Sequence, residues 1–225
     1  ESTPESTPES TPESTTPDSE SHRVSSSAPR CSSVAQVRSK HDEAESLFRL
    51  AMAADSDGAY PKAIASYAAF AYKVRRDTRL AHRLFQRATS LAPFDAGIAS
   101  SFANFISKAL NDNPRAERIF LRALEFRPEH AGALGDFAAF CFQSLNQVER
   151  AEALYKKALE AQPKHANNLI RCANLKKKIG KLNEAEALYL RACKAAPSDA
   201  TVLGNYANFL KKCVAAARAL VRGVP

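Results

Sequence analysis

Five cysteines stand at positions 31, 141, 172, 193 and 213, with no CxxC pair and no histidine at metal-ligand spacing. A thiolate that ligates or attacks needs a partner placed beside it. None is offered by the spacing, so the cysteines read as structural, packing as small hydrophobes. His130 and His165 each stand two residues after a proline, where Asp95 and Asp199 follow Pro93 and Pro197. That is a helix N-cap place, so all four residues read as structural. There is no glycine-rich phosphate loop and no nucleophile motif, and the acidic residues are scattered rather than paired. The sequence therefore predicts no catalytic residue, no metal and no cofactor. What remains is binding chemistry. Lys176, Lys177, Lys178 and Lys181, with Lys211 and Lys212, make the densest positive patch, suited to RNA or an acidic peptide. No run of exposed aromatics accompanies it for base stacking.

The elements that must hold these residues follow from a recurrence. Alanines 44, 81, 116, 151 and 185 lie 37, 35, 35 and 34 residues apart, and Phe48, Phe85, Phe120, Tyr155 and Tyr189 each follow by four. Alanines 51, 88, 123, 158 and 192 follow by seven, then Pro93, Pro128, Pro163 or Pro197 by twelve, with Ser56 in the earliest copy. Such a period predicts a solenoid of helical hairpins. Helices are expected from Ser39 to about Ala54, where Asp57-Gly58 breaks the chain, and from about Tyr60 to Arg76 with Pro61 in the first turn. First helices carrying Y/F-A-x-F are then expected near 96–110, 131–144, 166–179 and 200–213, and second helices near 79–92, 115–127, 149–162 and 183–195. Each of these second helices ends before its proline, which cannot continue a helix. The paired alanines let backbones approach, and the aromatic between them fills the gap. After Phe209 a further second helix would start near Ala219, but Val214–Pro225 holds no aromatic, which predicts an array cut short.

Residues 1–38 form a separate Ser/Thr/Pro/Glu-rich tail, 39–217 the array, and 218–225 a frayed or truncated end. ESTPESTPESTPESTTP has proline in every unit, which forbids helix and packed strand and predicts an extended, disordered spacer. Thr3, Thr7, Thr11 and Thr16 precede proline and suit proline-directed phosphorylation, or O-glycosylation in a secreted chain. Residues 1–30 carry six acidic and two basic side chains, net −4, which leaves +12 on the remainder of a chain whose total is +8. That bias calls for acidic partners, nucleic acid or acidic peptide. No run has the length of a membrane helix. The chain opens at Glu1 without a methionine, which predicts a fragment or processed form.

The period, together with A-x-x-x-F/Y-x-x-A followed by proline, resembles the tetratricopeptide repeat family over residues 41 to about 217. It departs from that family in having Ala103, Ala138, Ala173 and Ala207 where glycine is common, and in lacking tryptophan. Tyr206–Phe209 and Arg118–Leu124 also look like the half-a-TPR repeats of RNA-processing scaffolds. The resemblance implies an all-α, right-handed superhelical solenoid of antiparallel helix pairs, with no catalytic activity. It implies a cytoplasmic or nuclear scaffold that binds a peptide or protein on the concave face lined by first helices, with an RNA-processing scaffold as the alternative. Carrying its register across places Ser100, Asn104 and Lys108 on that face from one copy. Asn167, Arg171, Asn174, Lys177 and Lys178 come from another, and Asn208, Lys211 and Lys212 from the last. Asparagine amides there would pair with a peptide backbone, and lysines would hold a carboxylate or phosphate. The family's chaperone-tail clamp is not expected, because Ser100, Gly135, Ile170 and Gly204 stand where it would need lysine.

Overall fold

A computed structural model describes residues 30–53 and 60–222. Among these there are ten helices and no strand. They are α1 (Arg30–Ala53), α2 (Pro61–Phe70, continued by a π-helical turn over Ala71–Arg75), α3 (Thr78–Leu91), α4 (Ala96–Leu110) and α5 (Asn113–Phe126), followed by α6 (Ala131–Gln143), α7 (Val148–Ala161), α8 (Ala166–Lys178), α9 (Leu182–Ala195) and α10 (Ala200–Arg222). The array from His41 onward is a compact unit of its own. The ESTP tail with its Thr-Pro sites, Asp57-Gly58 and the last three residues lie outside the described residues.

Helix boundaries follow the local chemistry. Asp95 Oδ1 accepts the amides of Gly97 and Ile98 at 2.9 and 3.0 Å, and Asp199 Oδ1 those of Thr201 and Val202 at 2.7 and 3.3 Å. At the same place in the repeat, His130 Nδ1 accepts from Ala133 at 3.0 Å and His165 Nδ1 from Asn168 at 3.2 Å. A ring nitrogen that accepts must be unprotonated, so each imidazole uses its lone pair as a cap. Helices α3, α5, α7 and α9 stop two residues before their prolines, as proline's lack of an amide hydrogen requires.

First helices end by a different device. Arg76, Asn111, Asn146 and Gly180, spaced 35, 35 and 34 apart, take positive φ of 60°, 55°, 55° and 83° and swing the chain into the next helix. Asparagine and glycine tolerate that conformation best. The next place in the series is Val214, whose branched side chain disfavours it. Among the described residues no further hairpin follows α9. Helix α10 runs straight through the turn position to Arg222, where the repeat pattern predicts a second helix from near Ala219. Helix α1 likewise begins at Arg30, nine residues before the apolar periodicity starts at Ser39.

The repeated aromatic of each second helix packs on the first helix that follows it. Phe48 meets Tyr67 and Phe70, Phe85 meets Phe102 and Phe105, Phe120 meets Phe137 and Phe140, and Tyr189 meets Tyr206 and Phe209, with centroids 5.1–6.0 Å apart. On α8 the corresponding places are filled by Cys172 and Leu175, which share the core with Tyr155. Ala81, Ala88, Ala116, Ala151, Ala158, Ala185 and Ala192 are fully buried, as close backbone approach demands.

Consecutive first helices touch one another, α2 with α4, α4 with α6, α6 with α8 and α8 with α10, whereas consecutive second helices make no comparable contact. Clefts lie instead between α3 and α5, and between α7 and α9. Closer spacing on one side than on the other bends the stack toward the first helices. Their common surface is therefore the inner face of the array.

Candidate partner-binding groove

On that inner face α2, α4, α6 and α8 together form a groove of about 250 Å³. Its walls are Ala69, Tyr72 and Lys73 from α2 and its π-helical turn, Ser101, Asn104, Phe105 and Lys108 from α4, Asp136 from α6 and Arg171 from α8, over a floor reached by Phe85. The edge of Tyr72 meets Phe105 at 5.3 Å between centroids, which fixes one wall. Arg171 Nη1 donates to Asp136 Oδ1 across two helices. Asn104 is half-buried and Lys108 exposed. Three cations face one carboxylate there, and that carboxylate is already engaged by Arg171.

The other residues assigned to this face from sequence are placed apart from the groove. Asn174 Oδ1 accepts from the Tyr189 hydroxyl and from Lys177 Nζ, both at 2.8 Å, so its acceptor is spent inside the array. Burial, with Lys212 and Lys178 nearby, holds the Lys177 ammonium below the usual lysine range. Lys178, Asn208, Lys211, Lys212 and Asn167 are exposed.

Two assignments change. Ser100 is 1% exposed, its hydroxyl donating to Gly97 O at 3.1 Å, so it belongs to the helix stack and not to the groove. Gly135 and Ile170 at the same repeat position are buried too, so the lack of lysine there is a packing requirement, and only Gly204 is exposed. The lysine patch is also divided. Lys176 lies 2.8 Å from Glu152 and 2.7 Å from Glu184, and Lys181 3.9 Å from Glu152. Burial works against the charge on Lys176, but the two carboxylates outweigh it and push the ammonium up to about 12. Lys176 thereby joins α8 to the second helices α7 and α9, on the outer side.

Sequence reasoning missed Tyr72, Lys73, Ser101 and Asp136. A signal was present: Lys73 precedes Lys108 by 35 residues, and Ser101, Asp136 and Arg171 are successively 35 apart. The first copy hid Lys73, because its alanine spacing is 37, the two extra residues lying between α1 and α2. The buried thiols offer no competing chemistry. Burial pushes Cys141 up to about 11 and raises Cys172, keeping both as unreactive thiols at neutral pH. Among the described residues no cluster of His, Cys, Asp and Glu could hold a metal, and no helix is long and apolar enough to cross a membrane.

Residues 144–208 match the family model of the tetratricopeptide repeat. No curated protein matches the sequence. Among solved structures, a thermophilic TPR protein of Thermus thermophilus superimposes with a TM-score of 0.64 at 21% identity, covering 80% of this chain and 96% of its own. PilW, a type IV pilus biogenesis factor, does so with a TM-score of 0.56 at 22% identity, covering 81% and 89%. At such identities the likeness is one of fold. Residues 144–208 are thus similar to tetratricopeptide repeats, and the array as a whole shares the helical-hairpin fold of such proteins.

Proposed function

We propose that this chain is a non-enzymatic scaffold that holds a protein or peptide partner against the inner face of its repeat array. The observation that carries this reading is the groove in which Asn104 and Lys108 of α4 converge with Arg171 of α8 beside Tyr72 and Lys73. An amide that can both donate and accept suits a peptide backbone, while cations fixed on rigid helices suit carboxylates. Phe105 and Tyr72 give the groove an apolar wall, as sites that exclude water around a few polar contacts require. Repeat arrays use curved faces of this kind for extended ligands.

Affinity capture with the full chain as bait, from nuclease-treated lysate at moderate salt, tests the reading. Proteins retained by the natural sequence should be lost from Asn104→Ala/Arg171→Ala, whose helical circular dichroism should be unchanged. Retention of the same proteins by that variant would remove the groove from the binding surface. Loss of every partner on nuclease treatment would move the function to nucleic acid.

A further inference from the structure

One side chain recurs at a fixed place in the repeat along the first helices, near the end of each except α10. Lys73, Lys108, Gln143, Lys178 and Lys212 are spaced 35, 35, 35 and 34 residues apart, one at the same repeat position on each successive first helix. All five are exposed. Lys73 and Lys108 line the inner groove together. Lys178 and Lys212 both lie near Lys177, whose ammonium they help destabilise after burial. None of the four lysines makes an ion pair among the described residues, in contrast to Lys176 and Lys181 on the outer side. Lysine in the last turn of a helix also complements the helix dipole, which accounts for Lys73, Lys108 and Lys178 but not for Lys212, ten residues before the end of α10.

We propose that these four lysines form a ladder that binds an extended acidic segment of a partner protein, with Asp or Glu at about every third residue. The proposal rests on the inner-face reading above and adds the chemistry of the partner. Its spacing follows from packing. Helices in contact lie about 8–10 Å apart, and consecutive first helices are in contact. An extended chain in the polyproline II conformation turns once in three residues and rises about 3.1 Å per residue, so a side chain three residues on lies about 9 Å further along and on the same side. Each acidic side chain can then meet one lysine, and Gln143 leaves a neutral rung in the middle. Single-stranded nucleic acid would want stacking surfaces beside the charges. Of the aromatics lining the groove, Phe85 and Phe105 are 2% and 3% exposed and half-buried Tyr72 packs at right angles on Phe105, so no row of open ring faces stands beside these lysines.

Fluorescence anisotropy with the full chain at low and moderate salt provides the test. Three labelled probes of equal charge serve: a synthetic peptide with glutamate at every third residue, a peptide of the same composition with its glutamates contiguous, and an oligouridylate. The spaced peptide should bind tightest. Gln143→Lys should tighten it by about 1.5- to 5-fold, the range for one exposed ion pair, and Lys108→Gln/Lys178→Gln should weaken it by about 2- to 25-fold. Equal binding of the two peptides, tighter binding of oligouridylate, or no gain from Gln143→Lys would overturn the ladder. The gain arm does not depend on the double variant folding. Should partner capture depend on Asn104 and Arg171 while the ladder variants leave peptide affinity unchanged, the groove stands and the ladder alone falls.

Discussion

Asn168 and Gly135 show how closely one repeat is keyed to the next. The Asn168 side chain is buried, and its Nδ2 donates to the Ala131 carbonyl at 2.7 Å, joining α8 to α6. A methyl group on Gly135 would overlap the Asn168 side-chain oxygen. Alanine is ordinarily the better helix residue, by about 1 kcal/mol. In this position the displaced amide would lose a buried hydrogen bond, which costs about 1–3 kcal/mol, with overpacking in addition. Gly135→Ala should therefore lower the urea midpoint, and Asn168→Ala in the same chain should recover part of the loss by making room. Greater stability of the single variant would show that the amide moves aside freely. The capping residues were legible in the sequence because their cause is local, a proline two residues before. Gly135 was not, since its reason sits on a different helix, 33 residues away.

At the scale of the element, α1 is joined to α2 and its π-helical turn by stacking and by charge. Phe48 stacks on Tyr67 at 5.3 Å, Glu45 accepts from the Tyr67 hydroxyl at 3.2 Å, and Arg75 bridges Glu45 and Asp42 at 2.5 and 2.6 Å. The Arg75 guanidinium holds the Glu45 carboxyl below its usual range. A carboxyl depressed in the folded state contributes stability that is complete above its unfolded value and is lost as the pH falls through the folded one. The contact between α1 and α2 should accordingly loosen only in acid below the ordinary carboxylate range. Glu45→Gln should show at neutral pH the Tyr67 NMR environment that the natural chain reaches in acid. An unchanged Tyr67 environment in both cases would leave stacking as the sole attachment. Helix existence and spans were readable from period and proline, whereas the termination of α10 was not. The Arg/Asn/Asn/Gly series at the turn becomes a signal only once its left-handed conformation is known, and Val214 is then the residue that breaks it.

Across the whole array the core is unequal. One cluster of buried side chains continues from Ile64 to Leu175, and a smaller one joins α8, α9 and α10 from Leu169 to Phe209. Helix α10 leaves Leu203, Leu210 and Val214 exposed along its free side. Stability in a stack of repeats is roughly a sum of units and nearest-neighbour interfaces, so a helix with neighbours on one side only should open first. Amide exchange should be fastest in α1 and α10, the helices at the two ends of the described array, slower in α9 and slowest in α4 to α6, and equal protection of α10 and α6 would contradict this. The all-helical fold followed from one alanine, one aromatic and one proline repeated, because each states a packing rule that holds for every copy. The groove depended on which turn of each first helix faces inward, and that is settled by contacts between copies. The asymmetry between the two sides has a mechanical consequence. Where first helices touch, their separation is set by packed side chains, while the clefts between second helices can widen or narrow. Flexing of the array is then taken up on the outside, with the inner edge acting as a hinge line of nearly constant length. Charges mounted along such an edge keep their intervals as the array breathes, which would make it a ruler for the spacing of its partner's charges.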